Sequence, residues 1–477
     1  MATLAEPART QPAPEPVPAP IESPTPRHWS ENQPDGALDH IPGEKGAPIV
    51  GHTFKQAADP HAFTKRMFET YGPVYKAHVF GTWQVALIGP EANELVLMDR
   101  AKNFSSDQGW SPVLHRLFPG GLMLLDFDHH RADRRALSIA FKPGPMRHYA
   151  GALNRGIAQE VDGWEGSLRF WPKIKQLTLD LAAESFIGVE WGPEADRINT
   201  AFVDMVQASV SPIRAPLPFT RMRRGVKGRE FLCEFFRAET LRRREEGGGQ
   251  DMFSQFATAT REDGELLPVD EVVDHMNFLM MAAHDTITSS GTSFVYDLAR
   301  FPEWQEKLRD EVFAVTGGPD GDGRARPLDY DDLGKLDLTE MAFKETLRLM
   351  PPVPSMPRRA LRDFEFGGYV VPAGTRCGIN IYRTHRLEEH WPDPERYDPM
   401  RFTPELVKQR HKYAWVPFGG GAHMCLGLHF AYMQIKILMA HILQRYRIVI
   451  DEGYEPEIQP WPIPLPKDGL KARFERL

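Results

Sequence analysis

Apolar positions recur at helical spacing through most of the chain and at strand spacing only in short patches. The run GPVYKAHVFGTWQVALIG carries two β-rich segments parted by Gly81 and Thr82, which predicts a hairpin. A helix opens near Pro90 with PEANELVLM, and from about residue 140 to 310 the pattern is dominantly helical, broken at SVSPIRAPLPF and EEGGGQD. The longest helical stretch begins near Pro268-Val269-Asp270 and runs to about Arg300, where Pro302 supports a stop. Roughly thirty residues at 1.5 Å each give about 45 Å, so this helix must cross the interior. TEMAFKETLRLM predicts another helix, ended by Pro351 and Pro352. Short β-type segments follow in FEFGGYVVPAGTRCGINIY, then the irregular HWPDPERYDPMRFTPE, then a last helix from about Leu426 to Tyr446. No fixed-period repeat and no alternation of strand with helix occurs. The pattern predicts a mainly α protein with small β-sheets (α+β) in a single large domain.

Composition narrows this picture. With 477 residues and 42% hydrophobic content the chain can bury a large core, and its formal net charge of -8 is no match for nucleic acid. Residues 1–40 are rich in Pro, Ala and Glu and read as a disordered tail, leaving 41–477 as the folded domain. The N-terminus has neither the basic nor the apolar region of a secretory signal, and no stretch reaches the roughly 20 apolar residues of a membrane span. Three widely spaced cysteines make no disulfide framework and point to a reducing setting. The expectation is a cytoplasmic monomer with no membrane anchor.

Of the three cysteines, Cys425 is the one with chemistry around it. In FGGGAHMCLG it sits among glycines 419, 420, 421 and 427, which permit positive φ and close backbone approach. The helix expected behind it offers N–H groups that favour a thiolate. Three ligand chemistries are open. Zinc could use His423, Cys425 and His429, but a structural site normally takes four ligands, and there is no Cys-x-x-Cys. A nucleophilic cysteine would need a base, for which His423 is available. Haem iron needs only the single thiolate as axial ligand.

Phe418, Gly421, His423, Cys425 and Gly427 resemble, in order and spacing, the haem loop of the cytochrome P450 family. The resemblance extends from about residue 40 to the C-terminus. KETLR carries Glu345 and Arg348, similar to the family's Glu-x-x-Arg pair, and PMRF supplies Arg401 to complete a structural network. The resemblance implies haem b between the long central helix and the cysteine loop, with Cys425 as the iron ligand. It implies propionate contacts from His130, Arg134, Arg358 (with Arg359 the competing assignment) and His423, and Phe418 beside the thiolate. In FLMMAAHDTITSS, residues Phe278, Ala282, Asp285 or Thr286, and Ser289 share one helical face. That segment resembles the family's oxygen-activation motif, in which Thr286 would hydrogen-bond the oxygen and Asp285 relay protons, with Ala283 replacing the usual glycine.

The implied function is a monooxygenase that inserts one oxygen atom from dioxygen by hydroxylation or epoxidation, the thiolate favouring O–O cleavage. By resemblance, substrate meets the 103–125 loop, the 209–224 stretch, the 352–357 segment and PWPIPLP near 460. The pocket residues expected are Trp110, Leu122, Phe278, Val353 and Met356, with Leu114, Leu117, Phe118 and Phe219 as further apolar contacts and Arg214 for any carboxylate. A terpenoid, steroid or fatty chain is favoured. The haem domain uses the whole chain, so electrons are expected from a separate ferredoxin and its reductase, docking near Lys408, Arg410 and Lys412. The rivals are a peroxide-using or isomerising haem-thiolate enzyme, against which Asp285-Thr286 argues, and a non-catalytic haem carrier or sensor.

Overall fold

The computed structural model describes residues 28–34, 36–318 and 326–477. Strands β1 (Val74–Val79) and β2 (Thr82–Leu87) form the expected hairpin, turning at Phe80 and Gly81, both at positive φ. β2 continues through β4 (Arg376–Asn380) to β3 (Ser355–Ala360) in a six-stranded sheet edged by the two-residue strands Gly43–Glu44 and Phe104–Ser105. Three smaller sheets complete the β content.

Ten helices matter to the site. They are α1 (Pro90–Met98), α2 (Ser106–Leu114), α3 (Phe127–Leu137), α4 (Pro143–Val161), α5 (Phe170–Ala182), α6 (Pro193–Ser209), α7 (Arg221–Glu246), α8 (Val269–Arg300), α9 (Asp337–Leu349) and α10 (Leu428–Leu443). α8, at 32 residues, spans about 48 Å and packs against α5, α7 and α9. Because other helices surround it, its buried positions extend well beyond one stripe. α10 is buried continuously from Met433 to Leu443 and lies against α4. Its first residue is Leu428, two later than the sequence pattern suggested, because Leu426 and Gly427 form a turn ahead of it.

The N-terminal tail expected over 1–40 falls outside the described residues up to 27. Residues 28–33 are held to the sheet. The buried Arg359 donates to the carbonyls of Trp29 (3.0 Å) and Glu31 (2.6 Å), and Arg376 donates to that of Trp29 (3.1 Å). Gln33 donates to the Ala373 carbonyl and the Thr375 hydroxyl.

The polar anchor of the fold lies at the end of α9. Glu345 and Arg348, three apart, are both 0% exposed. Arg348 Nε donates to Glu345 Oε2 at 2.7 Å and Nη2 to Oε1 at 2.9 Å. The remaining guanidinium hydrogens go to the carbonyls of His385, Pro394 and Arg396. Glu345 Oε1 also accepts from the Asp398 N–H at 2.8 Å and faces Arg401 Nε at 3.4 Å. The irregular stretch 393–401 is thus folded around one ion pair. A buried pair with every lone pair used is stable, whereas removing one partner strands the other charge. Glu345→Gln is expected to cost about 3–5 kcal/mol, read as a lowered midpoint in thermal unfolding.

α8 is tied to α9 by Asp297, whose Oδ2 accepts from Thr346 Oγ1 at 2.7 Å. Burial pushes the Asp297 carboxyl up to about 7, against the pull of Thr346 and Arg300 and with help from Glu345. Its folded pKa therefore lies above its unfolded one near 3.9. The neutral acid's stability is fully present below about pH 4 and is lost as pH rises toward 7, a loss of at most roughly 4 kcal/mol. Asp297→Asn, permanently neutral, is expected to gain stability on the native protein between pH 5 and pH 8 melts.

Candidate active site

The cysteine loop is shaped by what it packs on. Gly421 has φ 60° and its missing Cβ would lie 1.9 Å from the Leu97 carbonyl oxygen of α1, so no side chain fits there. Gly419 is also left-handed, but Gly420 and Gly427 are not. At Gly427 the nearest protein atom to a Cβ would be Phe141 at 3.9 Å, which leaves the space beside the cysteine open. Cys425 N–H donates to the Phe418 carbonyl at 2.9 Å, closing the loop. The Phe418 ring packs between Trp415 and Tyr432.

The loop is also held from behind. His385, fully buried, has Nδ1 3.2 Å from the Arg348 carbonyl and Nε2 3.1 Å from the Val416 N–H. Burial drives His385 well below its ordinary pKa. A neutral ring, donating from Nδ1 and accepting at Nε2, satisfies both contacts. The sequence reading missed His385. A lone histidine between a helix and a Pro-rich stretch gives no local signal of this partner.

The helix that follows the loop, α10, contacts α8. A small gap between α8, α10 and α5 is lined by Ala283, Phe430, Gln434 and Thr178. Beside it Ala282, in the middle of α8, and Cys425, five residues ahead of Phe430, are both exposed. An accessible alanine halfway along a helix flanked by buried Met280 and His284 marks an internal cleft. The Thr286 hydroxyl donates to the Ala282 carbonyl at 2.8 Å. Asp285 does not meet Thr286 in any hydrogen bond; its Oδ1 lies 2.9 Å from His284 Nδ1. Burial pushes the Asp285 carboxyl up, but His284 and Lys175 of α5 outweigh it and hold it below its ordinary value. Ser289 turns away and donates to Pro464 at 2.7 Å, anchoring the C-terminal PWPIPLP segment.

Beside Cys425 the protein gathers two guanidiniums and two imidazoles, on which Asp99, Asp126 and Asp133 also act. The His130 and His423 rings lie 3.9 Å apart. Burial, then Arg134, lowers His130 to about 4, and burial with His130, Arg358 and Arg134 drives His423 lower still. Arg134 has no hydrogen bond or ion pair among the described residues, and desolvation lowers its pKa. Arg358 is buried on β3 and bonds only its own neighbour's carbonyl, Pro357. Its neighbour Arg359 faces the opposite side of the strand and serves the N-terminal segment, which separates the two competing arginines.

This donor set fits a haem. Two guanidiniums and two imidazoles, forced toward their neutral forms, suit a pair of carboxylates. Enclosure within the cleft, although Cys425 is accessible there, raises its thiol against the opposing pull of the Gly427 N–H and Arg134, so a thiolate there calls for a further cation, which iron would supply. The loop offers no four-ligand zinc set; among the described residues the grouped metal-ligand types are His129, Asp133 and Glu271, away from Cys425.

The apolar residues expected around the substrate divide. Trp110, Leu122 and Phe278 share one core cluster, and the Gly121 backbone presses on the Phe278 side chain. Leu114, Leu117 and Phe118 are buried in the same cluster. Met356 instead reaches the cysteine loop at Gly419, and Val353 is half-buried just past α9. Phe219 is fully exposed and meets neither group. Arg214 spends its guanidinium on the backbone, donating to the carbonyls of Ser209, Pro112 and Val113. Arg410, placed by the sequence in a basic docking patch, stacks 3.8 Å over Trp391 and donates to the Arg401 carbonyl, leaving Lys408 and Lys412 exposed.

Comparison with known proteins agrees with this geometry. A protein named cytochrome P450 136 from Mycobacterium tuberculosis is 36% identical over 454 residues, covering 92% of this chain and 89% of its own. Taxane 10-beta-hydroxylase of Taxus cuspidata is 27% identical over 451 residues, covering 91% and 90%. The solved structure of retinoic acid bound cyanobacterial CYP120A1 superposes with a TM-score of 0.83 at 26% identity, covering 92% of this chain and 99% of that one. The cytochrome P450 profile matches residues 41–474, and the chain belongs to the cytochrome P450 family of haem-iron monooxygenases.

Proposed function

We propose that this enzyme inserts one oxygen atom from dioxygen into a hydrophobic, isoprenoid-type small molecule, by hydroxylation or epoxidation, with haem b as its prosthetic group. The observation that carries the reading is Asp285-Thr286 on α8 beside the accessible Ala282, one helical turn after Phe278. An acid and an alcohol in mid-helix are costly unless they serve a purpose. Similarity to proteins named for a taxane and for bound retinoic acid supports the isoprenoid class over other apolar substrates.

In this reading Cys425 would bind the haem iron through its thiolate, and His130, Arg134, Arg358 and His423 would hold the propionates. Haem iron, once bound through the thiolate, supplies the oxygen-activating chemistry. Thr286, released from the Ala282 carbonyl, offers its hydroxyl to the cleft. Asp285, ionised, accepts and passes protons at its carboxylate. The apolar residues orient substrate and exclude water, which strengthens each polar contact inside. Among the described residues no helix is long and apolar enough to cross a membrane. Electrons come from a separate ferredoxin with its reductase, for which Lys408 and Lys412 offer charge on the outer side of the cysteine loop; their loss should weaken binding in a salt-dependent way.

Cys425→Ala is expected to abolish the reduced carbon-monoxide difference band of thiolate-ligated haem; persistence of that band sinks the ligand assignment. Thr286→Ala is expected to keep consuming reductant while product per reductant falls about tenfold or more and hydrogen peroxide rises. Unchanged coupling removes Thr286 from the proton path.

A further inference from the structure

The residue before Asp285 is a histidine with no role in the chemistry so far described. His284 is buried in the middle of α8. Its Nδ1 lies 2.9 Å from Asp285 Oδ1, off the axis of an aligned hydrogen bond, and its Nε2 is buried with no partner among the described residues. Phe202 of α6 meets the ring edge-on at 5.8 Å. The segment is pinned on its other side: Thr288 Oγ1 is 3.0 Å from the His284 carbonyl and 2.9 Å from Thr178 Oγ1 of α5.

A buried imidazole with an unmet nitrogen is destabilising by itself. An aliphatic side chain would pack against Phe202 without that cost. What the imidazole adds is contact with the carboxylate. Among the described residues no other side chain is recorded against Asp285, and the charges acting on it are His284 and, from α5, Lys175. Thr286 does not help, since its hydroxyl is turned to the Ala282 carbonyl. A carboxylate left alone in so dry a place would take up a proton and could no longer accept one.

We propose that His284 is a positioning residue for the reaction: its Nδ1 keeps the Asp285 carboxylate ionised and fixed on α8, ready to accept and pass a proton. This inference rests on the reading of Asp285 as the proton-handling group. The order His284-Asp285-Thr286 then works as one unit in which the outer residue sets the charge of the middle one.

Two measurements on the haem-loaded, full-length enzyme test it. In the first, the diamagnetic reduced carbon-monoxide form is labelled with 15N-histidine, and the His284 ring is assigned by its loss in His284→Gln. Asp285→Asn is expected to shift the Nδ1 resonance of that ring, because the nitrogen loses the carboxylate 2.9 Å away. An unmoved resonance overturns the proposal. In the second, product per reductant is followed from about pH 6 to about pH 9 with a substrate found by its spin-state shift. His284→Leu is expected to lose about half or more of its coupling at the acid end of that range, where the native carboxylate stays ionised, with KM changed less than about twofold. His284→Gln, which keeps an N–H donor, is expected to recover part of the loss. A His284→Leu profile matching the native enzyme overturns the proposal. If His284→Leu does not hold haem, the ring resonance alone decides. If Asp285→Asn leaves coupling intact, the reading of Asp285 itself falls, and the inference with it.

Discussion

The buried ion pair between Glu345 and Arg348 is the constraint on which the functional site depends. Its two charges are wholly removed from water, a placement that is stable only if every donor and acceptor is used. Arg348 meets that demand by gathering carbonyls from three separate points of the irregular segment after β4. One of those points is His385, whose ring reaches on to the backbone of Val416, two residues ahead of Phe418. The position of the cysteine loop is therefore set from behind by a chain of polar contacts that starts on α9. The apolar core supplies the bulk of the burial, but it does not specify where an irregular loop must run. Directional hydrogen bonds do.

The front of the loop has the opposite character. Arg134, Arg358, His130 and His423 lie near one another, and the acids that act on them, Asp99, Asp126 and Asp133, make their hydrogen bonds elsewhere. With both imidazoles held toward their neutral forms, the cluster keeps two guanidiniums whose charge a dianionic group would answer. The two halves of the site thus differ in kind: a satisfied ion pair that fixes geometry, and a set of donors that suits an anionic ligand.

α8 joins these halves to the chemistry. Asp297 near its end bonds Thr346 on the same helix as the ion pair, while Ala282 and Thr286 open onto the cleft. A helix of this length, packed by neighbours on several faces, transmits position from one end to the other with little slack. The polar residues in its middle can then keep fixed relations to Cys425 even though they come from distant parts of the chain.

Much was legible from the sequence because it is local. The hairpin about Gly81, the start of α8 after Pro268, the stop at Pro302 and the end of α9 before Pro351 follow from turn chemistry and periodicity within a few residues. The spacing of Phe418, Gly421, His423, Cys425 and Gly427 carried the resemblance to the family, and the i, i+3 relation of Glu345 and Arg348 needs only one turn of helix. Other features depended on contacts across hundreds of residues. The sequence preferred Arg358 to Arg359 through the resemblance alone, whereas alternation along β3 sends the two to opposite sides and the fold says which side holds the cations. It could not show that Arg410 is spent on Trp391, that Arg214 is spent on backbone carbonyls, or that Phe219 lies in solvent. Nor could it find His385 or the contact between His284 and Asp285. Side-chain chemistry and local spacing determine which groups are available; which of them stay free for function is decided by the partners that tertiary packing brings to each one, because a buried donor or charge takes whatever partner lies within reach.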